Sequence, residues 1–188
     1  YVAYSPRPLM DVRVVTVIGA GTMGAGIAQV CAQTGWETRL FDAFPEGLER
    51  GMGIIDAFWD KGIARGKTTV EQKAEWSANL SAYSDMAEAV TDTDLVIEAV
   101  PEIMELKKKV YAELDKVASD QVVFASNTST LPITEIANTI SRPKKFIGIH
   151  FFNPPQLMKL VEVIPGQETS DDITNLTINF VKSVNKIP

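Results

Sequence analysis

The chain has 188 residues, is 45% hydrophobic, and carries a formal net charge of -6 from 18 basic and 24 acidic side chains. That length buries the core of one sizeable domain, and the acidic balance argues against a nucleic-acid binder, whose affinity rests on clustered positive charge. One cysteine and one histidine are too few soft ligands for zinc, and no apolar stretch reaches the roughly 20 residues of a bilayer span, so no metal and no membrane partner are expected.

Residues 1–12, with Pro6 and Pro8 and no periodicity, read as a leader or linker, and they lack the basic and apolar regions of a signal peptide. A regular alternation starts at Arg13. "RVVTVI" is a short apolar run of the kind found in strands buried on both faces. The pattern then predicts a helix from Thr22 to Thr34, ended by Gly35, and a strand "ETRLFD". Pro45 opens a long helix whose stripe of Leu48, Met52, Ile55, Trp59 and Ile63 is read as packing rather than a ligand box. "ARGKTT" breaks it, and a shorter helix covers Val70–Ser77. The later strands are "NLSAYS", "DLVIEAV", "VVFAS", "FIGIH" and "KLVEVIP", with a helix marked by Ile103, Leu106, Val110, Leu114 and Val117 between the second and third. Strands alternating with helices predict an α/β fold, a doubly wound, mostly parallel sheet of the Rossmann type over residues 13–188. Cys31, among Ala28, Val30 and Ala32, is expected to be small core filler in a reducing, cytoplasmic setting.

Gly19-x-Gly21-x-x-Gly24 lies where the first strand hands over to a helix. The first glycine permits the tight turn, the second lets a pyrophosphate approach the backbone, and the third allows close helix–strand packing. Asp42, which closes the second strand, offers a carboxylate to both ribose hydroxyls of an adenosine and repels a 2′-phosphate. No basic residue in "DAFPEG" offsets that repulsion, so NAD is expected rather than NADP. A helix N-cap is the plainer role for Asp42.

His150 closes a strand at the carboxyl edge, where open α/β sheets place their ligands. Glu162 lies amid Leu160, Val161, Val163 and Ile164, and if buried there it needs a partner. Pairing the two would fix the imidazole tautomer and raise its basicity, as a general base acting on a hydroxyl requires. The polar cluster "SNTST", Ser126–Thr130, would reach the same edge. Together these residues read as a dinucleotide-dependent alcohol dehydrogenase.

"VIGAGTMGAGIAQ", "DLVIEAVPE", "FASNTSTLPITEIA" and "GIHFFNPPQLMKLVEVI" resemble the NAD-binding domain of the L-3-hydroxyacyl-CoA dehydrogenases, 3-hydroxybutyryl-CoA dehydrogenases included. The resemblance implies His150 as catalytic base, Glu162 as the acid orienting it, and Ser129, with Asn127 beside it, on the substrate oxygen. It implies Gly19, Gly21, Thr22, Met23, Gly24, Asp42, Glu102, Lys107 and Asn153 as cofactor contacts. It also implies an L-3-hydroxyacyl-CoA substrate, oxidised reversibly to the 3-ketoacyl-CoA. Lys61, Arg65 and Lys67 then become candidate contacts to the coenzyme A phosphates. The family often reads TSS where this chain has Thr128-Ser129-Thr130, and NPVP where it has Asn153-Pro154-Pro155-Gln156. The resemblance further implies a helical domain after "KSVNKIP" that completes the acyl-CoA site and forms a homodimer. A related L-gulonate-type dehydrogenase and a non-catalytic NAD-binding module are the alternatives.

Overall fold

The computed structural model describes residues 12–129 and 131–188. All but Val12 of the expected leader, and Thr130 of the polar cluster, lie outside the described residues. The strands are β1 (Val14–Ile18), β2 (Glu37–Phe41), β3 (Leu80–Tyr83), β4 (Leu95–Glu98), β5 (Val123–Asn127), β6 (Phe146–Phe151) and β7 (Val161–Pro165). They form one sheet in the order β3-β2-β1-β4-β5-β6-β7. Every neighbouring pair is parallel except β6 and β7. The chain starts in the middle, winds outward through β2 and β3, then crosses β1 to build β4 to β6. This reversal leaves a crevice at the carboxyl ends of β1 and β4.

Helices cover both faces: α1 (Thr22–Thr34), α2 (Pro45–Ala64), α3 (Val70–Ala78), α4 (Met86–Ala89), α5 (Met104–Val117), α6 (Ile133–Ala137) and α7 (Asp171–Ser183). One buried cluster joins Val15, Val17, Ile97 and Ile149 to α1, α2 and α7. The other joins Ile18, Val96, Phe124 and Phe146 to α4, α5 and α6. The central strands are therefore apolar on both faces, which is why they read as continuous runs. Cys31 is buried in the first cluster, and its burial pushes the thiol up to about 12. Trp59 packs on Trp76 at 5.8 Å between ring centroids and donates Nε1–H to Gln33 Oε1 at 2.8 Å, so it serves packing as expected.

Helix α5 departs from its expected stripe. Its buried residues are Lys107, Tyr111 and Leu114, while Ile103 and Val117 are exposed. The helix is turned by about one residue from its apolar seam, because Lys107 is drawn inward to Glu98 at 2.6 Å. Leu106 and Val110 line the crevice, and Val110 also packs against the second core cluster.

Candidate active site

The glycine turn gives each glycine a different physical task. Gly19 has φ +105, and a Cβ there would lie 2.9 Å from Ala99 O. At Gly24 a Cβ would sit 1.7 Å from Gly19 O, so only a glycine lets α1 pack onto the turn. Gly21 is the opposite case, because a Cβ there meets nothing within 4 Å. Its bareness serves no internal packing and faces open space. Gly21 is also the N-cap of α1, with no capping side chain and no acid in the first turn. The unpaired N–H groups of that turn, and the positive end of the helix dipole, are thus available to an anion.

Asp42, just beyond β2, accepts Ala20 N–H on Oδ2 and Phe44 N–H on Oδ1, each at 2.9 Å. These two bonds fix the carboxylate beside the glycine turn. The N-cap of α2 is Phe44 rather than Asp42.

A cleft of about 1160 Å³ runs along the carboxyl ends of the strands. Gly19, Gly21, Thr22, Met23, Asp42 and Glu102 line one part of it, and Asn127, Ser129, His150 and Asn153 another. A lobe of about 510 Å³ continues from Asp42 towards Arg50 and Ile54 on α2. Phe44, Arg50, Phe152 and the apolar pair Leu106 and Val110 also line these spaces. Leu106 and Val110 belong to the expected apolar stripe of α5 and Phe152 to the "GIHFFNPPQLMKLVEVI" stretch, whereas no sequence pattern marked Phe44 or Arg50.

His150, next to last in β6, lies opposite Glu162 on β7, and His150 Nδ1 lies 2.9 Å from Glu162 Oε1. A carboxylate only accepts, so Nδ1 carries a hydrogen, and in the neutral imidazole that leaves the lone pair on Nε2. The Phe152 ring lies against the imidazole, tilted by 47° with the ring centroids 4.3 Å apart. The apolar neighbours of Glu162 do not bury it: its side chain is 53% exposed, against 18% for His150. Because β7 is an edge strand, one side of Glu162 is open, and the pair is partly screened by water. Asn127 Oδ1 accepts Phe151 N–H at 2.9 Å, and Glu102 Oε2 accepts Ser129 N–H at 3.0 Å. These bonds tie the ends of β4, β5 and β6 together.

Three expected contacts do not reach the cleft. Lys107 is fully buried, with its ammonium on Glu98 beneath the cleft floor. Lys61 and Arg65 are remote because α2 carries them away from the cleft. At 1.5 Å per residue, Lys61 stands about 24 Å along the helix from Pro45, and neither side chain lines either space.

Residues 14–188 match the model of the 3-hydroxyacyl-CoA dehydrogenase NAD-binding domain. The chain belongs to this family. It is 41% identical over 172 residues to a 3-hydroxybutyryl-CoA dehydrogenase of Clostridioides difficile, covering 92% of this chain and 61% of that one. It is 44% identical over 181 residues to the mitochondrial hydroxyacyl-coenzyme A dehydrogenase of Rattus norvegicus, covering 93% and 57%. The crystal structure of the (S)-3-hydroxybutyryl-CoA dehydrogenase of Ralstonia eutropha superposes with a TM-score of 0.92 at 37% identity, covering 95% and 62%. The chain therefore spans about three fifths of the length of these relatives. The open face of Gly21, the uncapped start of α1 and the fixed Asp42 carboxylate fit the family's NAD.

Proposed function

We propose that the protein interconverts L-3-hydroxyacyl-CoA and 3-ketoacyl-CoA, with this domain supplying the cofactor site and the catalytic base. The observation that carries the reading is the His150–Glu162 pair opening onto the same cleft as the glycine turn. NAD, when bound, supplies the hydride acceptor. His150 Nε2 takes the hydroxyl proton as the carbonyl forms, and in reduction it returns that proton to the oxygen. Glu162 holds the Nδ1–H tautomer and stabilises the imidazolium. Ser129 donates its hydroxyl hydrogen to the substrate oxygen, and Asn153 contacts the cofactor from the opposite loop. The acyl-CoA closes against a further helical domain that also forms a homodimer, as the greater length of the relatives supports. A reducing, cytoplasmic compartment suits the buried, unpaired Cys31.

Reduction of acetoacetyl-CoA by NADH in the full-length protein tests this reading. His150→Ala is expected to lose at least about 10²-fold in kcat, and unchanged turnover in that variant sinks the assignment. The 188-residue chain alone is expected to bind NADH with little turnover. Activity on free hydroxy acids without coenzyme A would instead favour an L-gulonate-type enzyme.

A further inference from the structure

The ring of Phe152 has no place in the packing of the fold. It is half-buried, yet it belongs to neither apolar cluster, as a buried member or as a residue packed against one. It lines the cleft, and among the described residues its one ring contact is His150, at 4.3 Å between centroids. A side chain this large left outside the core forfeits much of the gain of burial, so its placement has another cause.

The backbone brings the two rings together. Residues two apart on an extended chain point to the same side, and the contact shows that the chain keeps this alternation one residue past β6. Phe151, between them, is 2% exposed within the first cluster. Its N–H is held by Asn127 Oδ1 at 2.9 Å. That anchor fixes where the Phe152 ring starts.

His150 lacks any other firm restraint. Among the described residues its side chain makes one hydrogen bond, to Glu162, whose side chain is 53% exposed. A partly solvated pair holds a side chain weakly, and a single bond at Nδ1 leaves the imidazole plane free to turn about it. A ring laid against the imidazole blocks that turn, because aromatic faces in contact settle into preferred arrangements. The bond decides which nitrogen is bare, and the ring contact decides where that nitrogen points.

We propose that Phe152 is a positioning residue, whose ring holds the plane of His150 so that Nε2 points into the cleft. The kinetic consequence rests on the dehydrogenase reading and the structural one does not, so two measurements separate them. The first is NMR relaxation of the imidazole in the 188-residue chain, whose one histidine gives ring signals that need no assignment. On Phe152→Leu the ring order parameter is expected to fall from about 0.85, rigid, to below about 0.6, mobile. Phe152→Tyr, which keeps the ring, is expected to leave it rigid.

The second measurement is steady-state turnover in the full-length protein. Phe152→Leu is expected to lower kcat about tenfold with KM for NADH within about threefold of wild type, and Phe152→Tyr to restore kcat to within about threefold. In a His150→Ala background Phe152→Leu is expected to cost less than about threefold, because no base remains to be positioned. An imidazole as rigid in Phe152→Leu as in wild type, or equal losses in both backgrounds, would overturn the proposal. So would a raised KM for NADH with kcat unchanged, which marks a ring that touches the cofactor instead. Should Phe152→Leu fail to fold, Phe152→Met enters the same measurements. Absence of turnover in the wild-type protein would refute the dehydrogenase reading alone, since the relaxation comparison still decides the positioning role.

Discussion

Gly21→Ala and Gly24→Ala differ by three positions in one turn, and the geometry assigns them opposite failures. At Gly21 the backbone has φ -74 and ψ -170, which alanine adopts freely, and the new Cβ finds open space. Replacing glycine by alanine at an N-cap costs roughly 0.5–1 kcal/mol. The narrower unfolded ensemble returns about 0.4–1 kcal/mol, so the net change in stability stays within about 0.5 kcal/mol. That methyl occupies the space where a pyrophosphate must meet the N–H groups of α1. NADH affinity by calorimetry is expected to fall at least tenfold, about 1.4 kcal/mol.

At Gly24 the methyl is forced to 1.7 Å from Gly19 O, a backbone atom with no freedom to swing aside. Overpacking of this severity costs about 3 kcal/mol, which lowers Tm by about 6–12 °C in a domain of this size. Thermal unfolding and calorimetry on the two variants check the contrast. Wild-type NADH affinity in Gly21→Ala, or a loss of Tm there equal to that of Gly24→Ala, would refute the reasoning.

Three further outcomes follow from named contacts. Glu162→Gln keeps a carbonyl for Nδ1–H but loses the charge that stabilises imidazolium; kcat in the full-length protein is expected to fall roughly tenfold, about 1.4 kcal/mol, and more in Glu162→Ala. Burial raises the Asp115 carboxyl, but the Ser141 N–H and hydroxyl and the Arg142 guanidinium outweigh it and hold the group below the usual range. A depressed carboxyl contributes stability that is present above the unfolded value near 3.9 and lost as pH falls through the folded one. Asp115→Asn should therefore cost on the order of 1 kcal/mol at neutral pH, with the gap to wild type closing in denaturant titrations below about pH 4. Cys31, its thiol pushed up to about 12 by burial, should react with a disulfide reagent only as fast as the chain opens, and rapid labelling of the native protein would contradict that.

Much of the nucleotide half was legible because burial on both faces leaves its strands as unbroken apolar runs, and because only glycine solves the packing at residues 19 and 24. Asp42 could be placed but not its bonds, since Ala20 and Phe44 reach it through backbone N–H groups that any sequence carries. Helix α4 spans four residues and offers no period to read. Helix α7 was readable: Ser170 caps it, Asp171 and Asp172 fill its first turn, and Ile173, Leu176 and Phe180 recur at helical spacing. The rotation of α5 was not, because an apolar stripe identifies a helix without saying whether that stripe meets the core or a cleft. Leu106 meets the cleft, Val110 meets both cleft and core, and the lysine goes inside.

The antiparallel strand β7 explains why the His150–Glu162 pair exists at all. In a parallel sheet, residues at the carboxyl ends of neighbouring strands are separated by a crossover of a dozen or more residues plus a whole strand. His150 and Glu162 are only twelve residues apart, and the chain achieves their pairing by turning back after Phe151. The reversal puts the second residue of β7, rather than its end, at the ligand edge. It also makes β7 an edge strand, which leaves Glu162 half in water. The same topology thus sets the tautomer of His150 and limits how strongly Glu162 acts on it. A more enclosed carboxylate would need another strand or domain laid over this edge. The bridge between Leu160 and Ile187 lies beside β7 but leaves Glu162 half exposed, so water screens the charge that His150 feels.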